Sequence, residues 1–536
     1  MNSIDRVSGQ DRLHQRLRAL APEVLTGIRR GIEKESLRVR PDGTLAATPH
    51  PAALGSALTH PHITTDFSES QLELITGVHT GAKACLEELM TIHQVVYRSI
   101  GDEMLWCTSM PCRLPADDDI PIGQYGSSNI GRAKTVYRYG LAQRYGRRMQ
   151  TISGIHYNFS LPDIAWPMLQ QADARGGALQ DYRNDAYFSL IRNFRRHSWL
   201  LLYLFGASPA VCATFVAGRK HRLQQLTPGT LYLPDGTSLR MGPLGYQSDA
   251  QASLAVSFNS LESYARSLHG ALTRPYPPYE AIGIRSGAEY RQLATSLLQI
   301  ENEFYGTIRP KRLIHPGERP LHALGERGVE YIEVRCLDLD PFCPIGITAA
   351  TMHFLDVFLL HCLLSDSPPD SPQEIECMAR NQHRAAERGR DPAMRLAKGS
   401  EEVALAEWGE KLLRECGPVA AALDHAHRGT AHRDALQAAS DALADPAITP
   451  SARVLREVTL RHDNSYLRFA LAQSTQHRDA LLASPLPAEM AASYARMAAE
   501  SLAEQRRIEA ADTMPFEAFR QQYLSQNLLG GIRLQP

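Results

Sequence analysis

The strand-like segments of this sequence are scattered among helical segments, without a regular alternation of strand and helix. Strands are predicted at residues 31–40, 71–76, 152–161 and, as shorter pieces, near 230–241 and 329–337. Helices are predicted at 1–30, 82–100, 180–205 and 346–364, and the Pro-, Gly-, Ser- and Asp-rich residues 107–135 predict a loop. From about residue 374 to 530 only helical patterns follow. This order favours an α+β fold over a doubly wound parallel sheet.

The charge balance argues against a protein whose overall field attracts nucleic acid. The 536 residues carry 57 Lys and Arg against 58 Asp and Glu, whereas nucleic-acid-binding proteins are usually basic. The nine cysteines include no C-x-x-C pair, so the usual zinc spacing is absent. Their odd number and wide spacing are typical of reduced thiols. We therefore expect a cytoplasmic protein, with no disulfide between Cys107 and Cys112.

One apolar run is almost long enough to span a membrane. Residues 199–217, WLLLYLFGASPAVCATFVA, contain no charged side chain and approach the length that crosses a bilayer. Gly206 and Pro209 interrupt the run, so we predict a buried helix that turns at GASP into a second buried element. The N-terminal residues lack the apolar segment of a signal peptide. We expect no association with a membrane.

Residues 32–39, IEKESLRV, place two glutamates two positions apart in a predicted strand. Successive side chains of a strand point to opposite faces, so Glu33 and Glu35 share a face and Lys34 lies on the other. Adjacent carboxylates repel each other unless water or a cation takes up their charge. This stretch alone is compatible with a solvated strand face or with a cation site.

Other strand-like or turn segments add polar side chains of the same kind. They are Asp66 and Glu73 in TTDFSESQLELIT, His156 in SGIHYNF, and Glu333 with Arg335 in GVEYIEVRCLD. If these strands share one sheet, one face collects five carboxylates, an imidazole and a guanidinium. Such a face is costly without divalent cations, and its oxygen-rich ligands favour Mg²⁺ or Mn²⁺ over zinc.

Cations held by acids usually serve phosphates, which also need basic partners. The segment GTIRPKR supplies Arg309, Lys311 and Arg312, although such a run is often a solvated turn. No P-loop and no G-x-G-x-x-G motif occurs, and neither do the G-x-S-x-G and H-E-x-x-H motifs of hydrolases. The residues themselves therefore indicate metal-assisted phosphoryl chemistry.

Several long motifs resemble the bacterial glutamate–cysteine ligase family. They are GIEKESLRV, ALGSALTHPHITTDFSESQLELIT, SMPC, GQYGSSNIGRAKTVYRYGLAQRYGRRMQTISGIHYNFSLP, YLFGASPAV, LQIENEFYGTIRPKR and GVEYIEVRCLDLDPFCPIG. The likeness runs in a consistent order from about residue 24 to about residue 365. The resemblance implies a glutamine-synthetase-like fold, in which a curved, mainly antiparallel sheet forms an open funnel-like barrel surrounded by helices.

The resemblance also implies roles for individual residues. The metal-binding set would be Glu33, Glu35, Asp66, Glu73, His156 and Glu333. Glu333 and Arg335 would be catalytic, and Arg309, Lys311 and Arg335 would bind ATP. The substrate pocket would consist of Phe67, Tyr137, Gln150, Arg240, Tyr246 and Tyr305, with Arg240 as partner of a substrate carboxylate.

The implied reaction joins the γ-carboxylate of glutamate to the amine of cysteine. ATP activates the carboxylate as γ-glutamyl phosphate, and Mg²⁺, or Mn²⁺, assists. We expect a catalytic core at residues 1–370 and a mainly helical part at 371–536 packed on it, in a monomer whose partners are small-molecule substrates. Three alternatives stay open: a ligase of this fold with another amine acceptor, a metal-dependent phosphohydrolase, and a metal-binding interaction protein without activity.

Overall fold

The fold is that of a computed structural model, which describes residues 9–111, 113–245, 249–252, 254–315 and 317–525. The strands are β1 Arg29–Val39, β2 Ile63–Thr65, β3 Gln71–Ile75, β4 Met104–Leu105, β5 Ile155–Ser160, β6 Ala210–Cys212, β7 Gln224–Thr227, β8 Thr230–Tyr232, β9 Arg285–Ser286, β10 Glu289–Tyr290, β11 Ile308–Lys311, β12 Tyr331–Leu337, β13 Arg395–Lys398 and β14 Glu401–Ala404.

The first helices are α1 Gly9–Ala19, α2 Pro22–Thr26, α3 Ala82–Tyr97, α4 Asn129–Tyr145, α5 Arg147–Gln150, α6 Ala165–Ala172, α7 Leu179–Phe205, α8 Asp249–Ala252, α9 Leu261–Thr273, α10 Pro277–Ile282 and α11 Pro320–Arg327. The remaining helices are α12 Ala349–Leu364, α13 Pro372–Arg388, α14 Leu405–His427, α15 Ala431–Ala444, α16 Pro450–Arg461, α17 Tyr466–Ala483, α18 Ala488–Ala511 and α19 Phe516–Tyr523.

A seven-stranded sheet forms the centre of the molecule. Its hydrogen-bonded order is β11-β12-β5-β1-β3-β2, and β4 pairs with the end of β1. Every pairing in this sheet is antiparallel, so the mixed α+β class is confirmed. Within the described ranges, the two ends of this strand order, β11 and β2, do not pair with each other.

Helices cover one face of this sheet. α3 contacts β1 and β3, whereas α7 contacts β11 and β12 and packs against α12. α12 is apolar around most of its circumference, and it is buried between α7 and the C-terminal helices α14 and α15. Because an all-round apolar helix needs neighbours on every side, the C-terminal helices complete this core.

The predicted elements are largely present, with some corrections. Residues 1–30 do not form one helix, because α1 and α2 are separate and β1 already begins at Arg29. The predicted loop 107–135 ends early, since Ser128 caps α4 by accepting a hydrogen bond from the Gly131 N–H. Near 230–241 only Thr230–Tyr232 is a strand. The C-terminal part also contains the hairpin β13-β14 among its helices.

The apolar run at 199–217 behaves as predicted. α7 ends at Phe205 and the chain turns into the buried strand β6. None of the helices in the described ranges combines the length and apolar character needed to cross a membrane. Cys107 is a free thiol, and Cys112 lies outside the described residues.

Candidate active site

The strand register gathers the predicted acids on one face of the sheet. Glu35 on β1 pairs with Glu73 on β3, and Glu33 pairs with His156 on β5. On the other side of β5, Glu333 of β12 pairs with Asn158, and Arg309 of β11 pairs with Glu333. Paired residues of antiparallel strands share a face, so these side chains form a row across five strands opposite the covering helices.

Glu33 and His156 form the middle of this row. Glu33 Oε2 lies 3.1 Å from His156 Nδ1, and Glu33 Oε1 accepts a 2.9 Å hydrogen bond from Asn158 Nδ2. Burial and the charge of Glu333 oppose ionisation of Glu33, but the His156 contact and Lys311 leave its pKa below the usual value. Burial and the nearby Arg335 charge lower the pKa of His156.

One half of the row contains basic side chains that compensate its acid. Glu333 is buried, with Oε1 3.2 Å from Lys311 Nζ and Oε2 2.9 Å from Arg335 Nη1. Burial alone would raise the pKa of Glu333, yet Lys311 and Arg335 hold it well below the usual value. Arg309 is buried and donates to the carbonyl oxygens of Asn302 and Phe304. This half therefore has cationic groups available for an anionic substrate.

The other half has acids without a comparable number of cations. Burial, followed by the charge of Asp66, raises the pKa of Glu35 to about 8. Burial and the charges of Glu33, Asp66 and Glu35 raise the pKa of Glu73 well above its usual value. Mutual repulsion of this kind is relieved by a bound cation.

Two buried atoms in this half have no hydrogen-bond partner within the described chain: Glu35 Oε1 and His156 Nε2, which lie 3.6 Å apart. In addition, Glu33, Glu73 and His156 each offer one ligand atom, and these atoms lie within 4.8 Å of one another. A donor set of several carboxylates and one imidazole suits Mg²⁺ or Mn²⁺. The residues present thus fit a divalent cation.

A cavity of about 320 Å³ adjoins the cationic half. It is lined by Arg195, Ser198, Arg240, Met241, Gln251, Leu254, Phe258, Phe304, Tyr305, Gly306, Thr307, Ile308, Arg335, Ile375, Met378, Ala379, Gln382 and His383. Three of the predicted site residues, Arg240, Tyr305 and Arg335, therefore share one cavity. The lining combines apolar side chains with a few polar groups, as small-molecule sites usually do.

Arg240 is linked directly to the row of acids. The buried Arg240 Nη2 donates to the carbonyl oxygen of Arg335 at 2.8 Å. Gly154, which precedes β5, donates its N–H to Glu35 Oε2 at 2.7 Å, and a Cβ at this glycine would lie 2.2 Å from Arg240 Nη2. Only a glycine allows both contacts at this point.

Tyr305 is fixed by a buried polar network. Its hydroxyl accepts a 2.8 Å hydrogen bond from Gln150 Nε2, and its N–H donates to Gln251 Oε1 at 3.1 Å. Gln251 Nε2 donates to the Tyr145 hydroxyl and to the carbonyl oxygen of Glu303. Each polar group in this chain of contacts constrains the next, which leaves the Tyr305 ring little freedom.

The remaining predicted pocket residues lie in different surroundings. Phe67 is buried in a small cluster with Ile122 and Leu141, and the half-buried Tyr137 packs against that cluster. Tyr246 lies outside the described residues. The structure therefore connects Gln150, Arg240 and Tyr305 through the cavity or its hydrogen bonds. It places Phe67, in the connection between β2 and β3, and Tyr137, on α4, in one apolar cluster.

Sequence reasoning missed two contributors to the cavity. One is Gln251, which lies on the short helix α8. The other is α13, whose Met378, Gln382 and His383 line the cavity although this helix was expected only to brace the core. Neither shows a local motif. α13 reaches the cavity by packing on α7, and Gln251 reaches it through its hydrogen bonds to Glu303 and Tyr305.

The chain is similar to known proteins over most of its length. A sequence model described as glutamate-cysteine ligase matches residues 15–385. The match covers every predicted site residue and extends into α13. The chain belongs to the glutamate–cysteine ligase family. The prediction made from the motifs is thereby confirmed.

Individual relatives cover almost the whole chain. A glutamate–cysteine ligase from Pseudomonas entomophila is 50% identical over 511 residues, 95% of this chain and 96% of its own. One from Alcanivorax borkumensis is 49% identical over 519 residues, 96% of this chain and 99% of its own. The likeness to this family therefore continues through the C-terminal helices.

Two solved structures are similar in fold. A crystal structure of glutamate–cysteine ligase from Francisella tularensis in complex with AMP has a TM-score of 0.88 and 36% identity, and the match covers 93% of this chain and 97% of that one. A bifunctional glutathione synthetase from Pasteurella multocida has a TM-score of 0.69 and 28% identity, covering 88% of this chain and 55% of that one.

Proposed function

We propose that this protein joins the γ-carboxylate of L-glutamate to the amine of L-cysteine, with conversion of ATP to ADP and phosphate. The product is γ-glutamylcysteine, and the intermediate is γ-glutamyl phosphate. Membership of the glutamate–cysteine ligase family supports the activity. The observation that carries the proposal is the division of one sheet face into an acid-rich half suited to cations and a cationic half beside a cavity.

The reaction requires two anions to approach each other. The glutamate γ-carboxylate must attack the γ-phosphate of ATP, and both groups are negatively charged. We assign Glu33, Glu35, Asp66, Glu73 and His156 to hold Mg²⁺, or Mn²⁺, with Glu333 at the border with the cationic half. When bound, such an ion neutralises phosphate charge and lowers the repulsion between the reactants.

The basic side chains act on the phosphates. Arg335 lies at the boundary between the acids and the cavity, where it can stabilise the charge that spreads over the phosphoryl oxygens in the transition state. Glu333, held ionised, fixes the Arg335 guanidinium by a 2.9 Å contact. Lys311 extends the positive charge, and we assign it and Arg309 to the ATP side of the site. The AMP complex of the Francisella tularensis ligase supports an adenine-nucleotide site in this fold.

The acceptor side is the cavity wall around Tyr305. Gln150 and Arg240 supply polar groups there, and we assign Arg240 to a substrate carboxylate. Phe67, Tyr137 and Tyr246 complete the proposed pocket for the cysteine substrate. A slot lined by aromatic rings suits a thiol, which is small, polarisable and weakly hydrogen-bonding.

We also propose the larger organisation. The sheet is the wall of an open, funnel-like barrel of the glutamine-synthetase type, within a catalytic core at residues 1–370. The helical part at 371–536 packs on it and adds α13 to the cavity wall. We propose a cytoplasmic location, because the reaction needs ATP and a free thiol, and we propose that the protein is a monomer.

The decisive assay measures ADP release with each amino acid omitted in turn. Release should require glutamate, and it should reach its full rate only with cysteine. A release that ignores both amino acids would identify a phosphohydrolase and contradict the proposal. Full release with another amine in place of cysteine would identify a ligase with a different acceptor.

A further inference from the structure

A second cluster of imidazole and carboxylate groups lies on the helix-covered face of the sheet. His353 and Asp356 are one turn apart on α12, and His432 lies in the first turn of α15. Each side chain offers one ligand atom, and these atoms lie within 4.8 Å of one another. We propose that His353, Asp356 and His432 bind a transition-metal ion of the Zn²⁺ class, at a site separate from the candidate active site.

The orientation of His432 is suited to a metal ligand. Its Nδ1 lies 2.9 Å from Asp424 Oδ1, and Asp424 also accepts hydrogen bonds from the backbone N–H groups of His432 and Arg433 and from Arg433 Nε. A carboxylate only accepts hydrogen bonds, so the contact assigns the proton to Nδ1 and leaves a lone pair on Nε2. Histidines that bind metals are usually oriented by a carboxylate in this way.

His353 has an unused nitrogen at the same place. Its Nδ1 is buried and has no hydrogen-bond partner among the residues that the structure describes. The His353 ring centroid lies 4.8 Å from that of His432, with the planes inclined at 69°. A buried polar atom without a partner is unfavourable, and an ion between the two rings would satisfy it.

Asp356 retains one lone pair with which it could bind a metal ion. Its Oδ1 accepts from the Tyr157 hydroxyl at 2.7 Å and from Arg30 Nε at 3.3 Å, whereas its Oδ2 accepts from Arg30 Nη2 at 2.9 Å. Each carboxylate oxygen has two lone pairs, so one remains on Oδ2. The Arg30 charge opposes a second cation, and we therefore expect weaker binding than at a structural zinc site.

The donor set decides the class of ion. Two imidazoles with one carboxylate suit Zn²⁺, Co²⁺, Ni²⁺ or Fe²⁺ better than Mg²⁺, which prefers oxygen ligands and water. Bonds from such donors to the ion are about 2.0–2.2 Å long.

An ion here would connect the C-terminal helices to the strands of the active site. Tyr157 and Arg30, which hold Asp356, lie on β5 and β1, next to or near His156 and Glu33 in sequence. The ion would thus join α12 and α15 at the back of the two strands that carry acids and imidazole on the front.

The test is a Co²⁺ titration of the full-length protein in saturating Mg²⁺, followed by visible absorption. We expect one visible band that saturates at one Co²⁺ per chain, and at least tenfold weaker binding in His353→Gln and in His432→Gln. Glu33→Gln, which changes the candidate active site, should bind Co²⁺ like the wild type. No band, or a band unchanged in both histidine variants, would overturn the proposal.

Thermal unfolding gives a second readout, which begins with the wild-type protein. Zn²⁺ should raise the unfolding temperature of the wild-type protein in saturating Mg²⁺, because an ion that binds only the folded state stabilises it. The rise should be smaller in His353→Gln, whose side chain is only half-buried and whose metal-free protein should unfold like the wild type. A wild-type protein that gains no stability from Zn²⁺ would refute the site, and the cluster would then be a hydrogen-bonded junction.

Discussion

At the residue scale, the acids of the candidate site differ in whether neighbouring basic side chains balance their charge. Glu333 is buried against Lys311 and Arg335, and its pKa is low, whereas Glu35 is buried beside Asp66 and its pKa is about 8. The two acids lie on the same face of one sheet, yet they differ because Glu333 forms ion pairs with Lys311 and Arg335, whereas the charges of Arg240 and Arg335 do not outweigh burial and Asp66 at Glu35. In the proposed function, a bound cation balances the half of the site that contains Glu35.

Glu35→Gln tests this division in the metal-free protein. The folded-state pKa of Glu35, about 8, exceeds its ordinary value of 4.5, so between these pH values the folded protein keeps a proton that the unfolded chain has lost. Its contribution to the free energy of unfolding therefore falls as pH rises through this window. In a chelator, Glu35→Gln should unfold close to the wild type at about pH 5 and several degrees above it at about pH 8.

The same experiment in saturating Mg²⁺ is the control. In saturating Mg²⁺ the wild type should have the higher unfolding temperature at about pH 8. Its ionised Glu35 would contact the ion, whereas the neutral amide of the variant would bind the ion weakly. A difference in unfolding temperature that is independent of both pH and Mg²⁺ would show that Glu35 is not a cation ligand.

Tyr305→Phe tests the acceptor side. It removes the hydroxyl that accepts a hydrogen bond from Gln150 and keeps the ring. Without this bond, Tyr305 and Gln150 are held less firmly in the proposed cysteine pocket, and a binding loss of about 1 kcal/mol would raise the KM for cysteine about fivefold. The KM values for glutamate and ATP should change less. Tyr139→Phe, at an exposed position of α4, is the matched control, and equal rises for all three substrates would make Tyr305 a structural residue.

Without the family resemblance, candidate site residues could be recognised only where a charged side chain or a histidine interrupted a strand-like or turn segment. Glu33, Glu35, Glu333 and Arg335 could be recognised because they are charged side chains two positions apart in strands that are otherwise largely apolar. Gln251 and His383 carried no such signal, since nothing local in α8 or α13 marks the cavity that they line.

At the element scale, the segment that leads into β5 connects the two halves of the site. Gly154 donates to Glu35 and lies against Arg240, where a Cβ would meet Nη2 at 2.2 Å. Gly154→Ala should therefore displace Arg240 and lower kcat/KM by about a hundredfold, because misplacement by about an ångström has costs of that size.

The control for this prediction is Gly176→Ala, where a Cβ would meet nothing within 4 Å. That variant should keep wild-type kinetics. If Gly154→Ala is folded and also keeps wild-type kcat/KM, the contact between Arg240 and this segment has no role in the reaction.

Elements with a clear apolar period were predictable, and the exceptions have physical reasons. β1, α3, α7 and α12 lie close to their predicted positions. The first residues of α4 were assigned to a loop because they belong to the Pro-, Gly-, Ser- and Asp-rich stretch 107–135. α4 also contains Gly140, which lowers its helix propensity. Packing explains Gly140, since a Cβ there would lie 2.1 Å from the side chain of Gln299. Because Gly140 and Gln299 are far apart in sequence, the residues around Gly140 do not reveal this contact.

At the scale of the whole molecule, the sheet order β11-β12-β5-β1-β3-β2 brings together segments that are distant in sequence. Sequence patterns indicate that strands exist but do not state their partners, so the strand order was not predicted, and the family resemblance implied only a curved, mainly antiparallel sheet. The helices beyond residue 370 complete the burial of α12 and add α13 to the cavity wall. The helices beyond residue 370 thus contribute to the core and to the cavity, whereas they were predicted only to pack on the catalytic core.

The central claim is that the carboxylate of glutamate is activated as an acyl phosphate. Glutamate labelled with heavy oxygen in its γ-carboxylate should be turned over with ATP and cysteine, and the phosphate analysed by mass spectrometry. The carboxylate oxygen bonds to phosphorus, and the amine then attacks carbon, so each phosphate should carry one labelled oxygen. Unlabelled phosphate formed together with γ-glutamylcysteine would contradict the account.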